Sequence, residues 1–99
     1  MMMEVLIKDI REILPSKFDF IVSMSPIGID ITFAEEVYEP QTIIITYGSE
    51  GFVYLNLMSM DWTKDVDYGF DLEELKAIYD VANYLEINKE YVIKLMECF

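Results

Sequence analysis

The chain has no histidine. The side chain that most often serves as a general base near neutral pH is therefore missing, and with it Ser-His pairs, Cys-His pairs and imidazole metal sites. Cys98 is the one cysteine, so no disulfide can close within the chain, which suits a reducing cytoplasm. The only base near that thiol in sequence is Lys94, so a passive cysteine is expected rather than a nucleophile. Glycine is sparse, and no phosphate-binding loop occurs: Gly51-Phe52 falls in a predicted hairpin and lacks the lysine of a P-loop. No apolar run approaches the roughly 20 residues of a membrane-spanning helix. Met1-Met2-Met3-Glu4-Val5-Leu6-Ile7 leads into Lys8-Asp9, without the basic region and long uncharged core of a secretory signal. A soluble, cytoplasmic protein is expected, and three methionines in a row offer three start sites.

Basic residues are scarce as well. Seven Lys and Arg stand against 19 Asp and Glu, a net charge of −12. Residues 18–63 hold seven acids and no Lys or Arg at all. Such a surface repels nucleic acid and anionic membrane and attracts basic protein surfaces. Acidity also confers solubility, and by itself it implies nothing more specific.

What is present is enough to fold. Ninety-nine residues make one compact domain, over residues 1–99, with a core that needs neither metal nor disulfide. A 54% hydrophobic content with 14% aromatics argues against disorder.

Residues 3–14 have the spacing of an amphipathic helix, with Met3, Leu6, Ile7, Ile10, Ile13 and Leu14 on one face. Pro15 ends it. In residues 18–24, Phe18, Phe20, Val22 and Met24 alternate onto one side of a strand. Ser25-Pro26-Ile27-Gly28 is a turn, with Pro second and Gly fourth. Ile29, Ile31 and Phe33 alternate in a second strand, residues 42–47 form a β-branched third, and Gly48-Ser49-Glu50-Gly51 turns into a fourth at 52–58. Connections this short require antiparallel pairing. Asp71-Leu72-Glu73-Glu74 reads as a capping box opening a helix, whose buried stripe is expected to be Leu72, Leu75, Ile78, Ala82 and Leu85. Asn88 is placed to cap a short final helix, one kinked helix through residue 97 being the alternative. The fold class is thus α+β: an N-terminal helix, an antiparallel meander of three to four strands, and two C-terminal helices packed on one face.

Chemistry finds little purchase in this pattern. A carboxylate-only hydrolase needs two acids facing each other across a cleft, which a domain of this size rarely supplies. No catalytic residue, metal ligand or cofactor is assigned, and a non-enzymatic protein is expected. Residues 65–71 resemble a calcium loop only superficially, because the turn glycine's place is taken by Phe70 and the bidentate acid's by Lys76.

Two segments stand out as surface. Asp61-Trp62-Thr63-Lys64-Asp65-Val66-Asp67-Tyr68-Gly69-Phe70-Asp71 interleaves acids with aromatics, and Glu35-Glu36-Val37-Tyr38-Glu39 repeats that composition. Aromatic anchors ringed by charge are what protein interfaces concentrate. Glu35, Glu36, Tyr38, Glu39, Asp61, Trp62, Asp65, Asp67 and Tyr68 are the expected partner-binding residues. Phe70 is expected to turn inward and plug the end of the sheet, a role Trp62 and Tyr68 are equally placed to take. Tyr47, Tyr54, Tyr79, Tyr84 and Tyr91 are expected to cover the edge of the core. Nothing in the sequence brings the two acidic segments together.

An amphipathic helix such as Leu6-Ile7-Lys8-Asp9-Ile10-Arg11-Glu12, a meander with acidic loops and C-terminal helices together resemble the small acidic anti-CRISPR proteins of phages and prophages. The resemblance covers element order and charge over most of the chain. The fourth strand and the long Asp61–Asp71 loop depart from it, and no binding residue carries over position by position. It implies a DNA mimic that occupies the basic DNA-binding surface of a type II CRISPR nuclease.

The leading expectation is accordingly an acidic inhibitor, phage-type, whose partner is the basic surface of another protein, a nuclease or DNA-binding protein, with no direct contact to nucleic acid or membrane. The alternatives are an immunity protein or antitoxin neutralising a cognate toxin, and a homo-oligomeric structural or accessory protein.

Overall fold

A computed structural model describes residues 2–35, 41–48, 50, 53–59 and 70–98. The element order is α1 (Met2–Ile13), β1 (Asp19–Ser25), β2 (Gly28–Ala34), β3 (Gln41–Gly48), β4 (Val53–Ser59), α2 (Leu72–Ile87) and α3 (Lys89–Glu97). The four strands form one antiparallel sheet in sequential order, β1-β2-β3-β4. Helix and strand bounds fall within a residue or two of the expected ones, and the α+β class stands.

Strand alternation decides which side is core. Ile29, Ile31 and Phe33 of β2 and Ile43, Ile45 and Tyr47 of β3 are buried on one face. Phe20, Val22 and Met24 of β1 pack against the same cluster. The helices complete it: Leu6, Ile10 and Leu14 from the first, Ala77, Val81 and Leu85 from the second, and Val92, Leu95 and Met96 from the third. Phe18 meets Phe33 edge-on, with ring centroids 5.9 Å apart and planes at 79°, a geometry that suits the ring quadrupoles. Phe70, as expected, packs against this core. Ile7 does not: it is 42% exposed, because the buried face of α1 follows the four-residue steps Leu6, Ile10 and Leu14.

The opposite face of the sheet bears Ser23, Asp30 and Thr46, and Thr46 Oγ1 donates to the cross-strand Asp30 Oδ1 at 2.7 Å. The helices lie over β1, β2 and β3. Leu55 of β4 stands opposite Ile45, hence on the core side, and is still 48% exposed. Both β1 and β4 are edge strands. The Pro26-Ile27 turn closes against Gly28, where a Cβ would come within 3.1 Å of the Tyr47 carbonyl oxygen, so glycine there permits the close pairing with Gly48.

Arg11 fastens the connection from α1 into the sheet. Its guanidinium donates to the carbonyls of Phe18 at 2.7 Å and Pro15 at 2.8 Å, and more distantly to Leu14 at 3.4 Å. It also lies 5.2 Å from the Phe20 ring centroid. The carbonyls freed where Pro15 stops the helix thus find a charged donor. Across the helix pair, Tyr84 Oη donates to Asp9 Oδ2 at 2.9 Å, joining α2 to α1.

Asn88 departs from its expected role. Its side-chain amide and its backbone N–H both donate to the Tyr84 carbonyl, at 2.9 and 3.0 Å, and its side chain makes no cap bond to α3. With φ −103° and ψ 23° it lacks the extended backbone that aims a capping oxygen at the amides ahead. It closes α2 instead, and the Val92 amide returns to the Asn88 carbonyl at 2.9 Å. The last two helices are thus separated by a single residue.

Two stability effects follow. Arg11→Met removes the charged donor, leaving the Pro15 carbonyl only the Phe18 amide at 3.0 Å, and should cost roughly 1–3 kcal/mol in urea unfolding; an unchanged midpoint would refute its fastening role. Burial raises the phenol pKa values of Tyr84, Tyr47 and Tyr91 above 10.0, with the Asp9 carboxylate adding to the effect at Tyr84 and Tyr91 and Glu86 at Tyr47. The folded chain therefore keeps these protons to higher pH than the unfolded chain. Their contribution is intact below pH 10, then lost as pH climbs through the folded-state values. Urea midpoints should stay level up to about pH 9.5 and decline above it, less steeply for Tyr84→Phe. An identical decline in that variant would rule the tyrosine out.

Candidate functional site

The acidic end of the sheet is fixed by chain parity. In a sequential antiparallel meander, β2 runs toward the end from which β1 departs, β3 starts there, and β4 returns to it. The connection after Ala34 and the connection after Ser59 therefore leave from the same end. These are the two acidic-aromatic segments. Glu35–Glu39 and Asp61–Glu74 hold nine of the 19 acids and one of the seven bases.

A single lysine ties their described ends together. Lys17 Nζ lies 3.3 Å from Glu35 Oε1 and 2.8 Å from Glu73 Oε2, joining the end of β2 to the first turn of α2. The Glu73 hydrogen bond is the largest influence holding the Lys17 ammonium above its usual pKa. This pair of contacts is solvent-exposed, so it orients the side chains more than it stabilises the fold. Asp71 and Glu74 flank Glu73 at the start of α2, while Asp19, paired in register with Ala34, alternates onto the sheet face away from the core. The helix start is a complete capping box: the Glu74 amide donates to Asp71 Oδ1 at 2.7 Å, and the Asp71 amide donates to Glu74 Oε1 at 3.2 Å. A cap of this kind contributes about 1 kcal/mol, and the acids suit the positive end of the helix dipole. Among the described residues, Glu35, Asp71, Glu73 and Glu74 thus meet at this end, with Lys17 between Glu35 and Glu73.

Of the nine residues expected to meet a partner, Glu35 is exposed at this end. Glu36, Tyr38, Glu39, Asp61, Trp62, Asp65, Asp67 and Tyr68 lie outside the described residues, as do Gly51 and Phe52.

Sequence reasoning misplaced one face of α2. Ala77, Val81 and Leu85 are its buried residues, while Leu72 is 84%, Leu75 47% and Tyr79 67% exposed. Tyr79 thus does not cover the core edge, whereas Tyr84 and Tyr91 pack against the core and Tyr47 is fully inside it. Leu72, Leu75 and Tyr79 follow helical steps of three and four, so they form one outward stripe beginning in the acidic first turn. The signal available in sequence was that α2 carries apolar residues around most of its circumference.

Other features offer little chemistry. A groove of about 440 Å³ between α1 and α2 is lined by Glu12, Ile13, Lys76, Asp80, Asn83 and Tyr84 among others, and Asp80 is ion-paired to Lys76. Among the described residues no group of three or more His, Cys, Asp or Glu is placed to hold a metal ion, and no helix is long and apolar enough to cross a membrane. Cys98 is exposed, its thiol 3.4 Å from the Lys94 carbonyl.

No protein-family model matches the chain, and no curated protein or solved structure matches it.

The two faces of α2 should respond differently to truncation. Leu72→Ala and Tyr79→Ala should each shift unfolding free energy by no more than about 0.5 kcal/mol, whereas Val81→Ala should cost roughly 2 kcal/mol through the cavity it leaves. Comparable losses from all three in chemical denaturation would show that the outward stripe is structural.

Proposed function

We propose that this protein is a non-enzymatic binding module that docks its acidic end on the basic surface of a nucleic-acid-binding protein. The observation that carries the reading is that β2 and β4, which lead into the two acidic-aromatic segments, finish at the same end of the sheet, where Lys17 joins Glu35 to the acidic first turn of α2. Clustered carboxylates on a rigid sheet end present closely spaced negative charge, as a phosphate backbone does, and such a patch attracts the same lysines and arginines. Aromatic residues in the same segments supply the desolvated anchors that charge alone lacks. The role fits an inhibitor that keeps nucleic acid off its target, as the resemblance to anti-CRISPR proteins implies.

Neutralisation of a cognate toxin is the second reading. It calls for a more apolar contact, and the exposed Leu72, Leu75 and Tyr79 beside the acids favour it. Both readings require a protein partner held partly by charge.

Immobilised protein should retain a basic nuclease or DNA-binding protein from its native host and release it as salt is raised, because exposed charge pairs are screened over about 8–10 Å at physiological ionic strength. Asp65→Asn/Asp67→Asn should weaken retention about tenfold or more, and duplex DNA should compete for the captured protein. The absence of any salt-sensitive partner would sink the proposal. Capture of a toxin indifferent to DNA would select the second reading.

A further inference from the structure

The outward stripe of α2 has a spacing and a charge setting that together specify an occupant. Leu72 and Tyr79 are seven residues apart, about 10.5 Å along the axis, with Leu75 between them on the same side. That is one heptad of exposed apolar surface, the unit by which two helices pack side by side. From its cap to its last turn the helix bears Asp71, Glu73, Glu74, Asp80 and Glu86 against one base, Lys76. Lys76 pairs with Asp80, and from outside the helix Lys17 pairs with Glu73 and Lys89 with Glu86; these exposed contacts are weak enough for a partner's cations to replace.

We infer that this face docks a basic amphipathic helix of the partner protein. Leu72, Leu75 and Tyr79 enter its apolar seam, and the carboxylates along α2 meet the lysines and arginines that flank that seam. The inference rests on the reading of the chain as an acidic module for a basic protein, and it adds the secondary structure and patterning of what is bound. Charge argues against other occupants. A second copy packed here about a two-fold axis would bring the same acid-rich helix against itself. An anionic bilayer would meet those carboxylates with like charge, whereas membrane-surface helices carry Lys and Arg on their polar face. The hydrophobic stripe contributes little to the fold on its own side, so its apolar area is free to be buried on binding.

Two fluorescent peptides of roughly five helical turns, identical in Leu and Lys composition, form the test. One places its leucines on a single helical face and the other scatters them. Fluorescence anisotropy with the full chain should show the patterned peptide binding more tightly. Leu72→Ala/Tyr79→Ala should weaken that peptide about tenfold or more and leave the scattered one unchanged. Ile27→Ser, which removes an exposed side chain in the β1–β2 turn, should alter neither. Circular dichroism of each variant confirms that the chain remains folded.

Salt-sensitive binding of both peptides alike, indifferent to Leu72 and Tyr79, would overturn this inference while leaving the acidic-module reading intact. Failure of both peptides to bind would count against both. A dimer in sedimentation that Leu72→Ala/Tyr79→Ala dissociates would assign the face to a second copy and overturn the inference as well.

Discussion

In an antiparallel meander, alternate connections must emerge at the same end of the sheet. That parity governs the molecule. It sends the Ser25–Gly28 turn and the β3–β4 connection one way, and the β2–β3 and β4–α2 connections the other. The chain enters at the second end as well, through Pro15 to Phe18. Among the described residues, Glu35 at the end of β2 is thereby brought to the start of α2, with its Asp71, Glu73 and Glu74. Lys17, placed just before β1, sits where it can reach both acidic ends. Arg11 does the complementary task on the backbone, holding the carbonyls of the same connection.

The core's one-sidedness sets the remaining geometry. Three helices cover one face, and α2 approaches β3, whose inner residues Ile43, Ile45 and Tyr47 are all large. Small side chains on the helix, Ala77 and Val81, let the layers approach, as dense packing requires. Once those residues face inward, Leu72, Leu75 and Tyr79 must face out. Tyr47 illustrates the same priority of packing over polarity: its ring is fully buried and its hydroxyl has no hydrogen-bond partner among the described residues.

Much of this was legible in the sequence. Strand alternation fixed the inner face from Phe18, Phe20 and Val22 through Ile29, Ile31 and Phe33. Pro15, the Pro26-containing turn and the Asp71 capping box placed three boundaries by local chemistry. The phase of α2 was not legible. Two stripes share Leu85 and accommodate Ile78, and the larger leucines at 72 and 75 gave the wrong one more apparent hydrophobicity. Only the shape of the facing strand distinguishes them. The partners of Arg11 and Lys17 were equally hidden, because a long cationic side chain on a polar face reveals nothing of carbonyls or carboxylates that arrive from other elements. Asn88 had the right residue type for a helix start, and its backbone conformation turned it to a helix end.

Edge strand β4 gives the acidity a consequence in colloidal behaviour. An edge strand with an apolar residue such as Leu55 exposed on its core side is a template for strand addition between molecules, a hazard that like charge restrains. At a net charge of −12, long-range repulsion keeps copies from meeting edge to edge. Added salt screens the charge and weakens this restraint. In dilute buffer that repulsion guards the edge; in concentrated salt the guard is lost, and the shelf life of the protein in solution is then governed by β4.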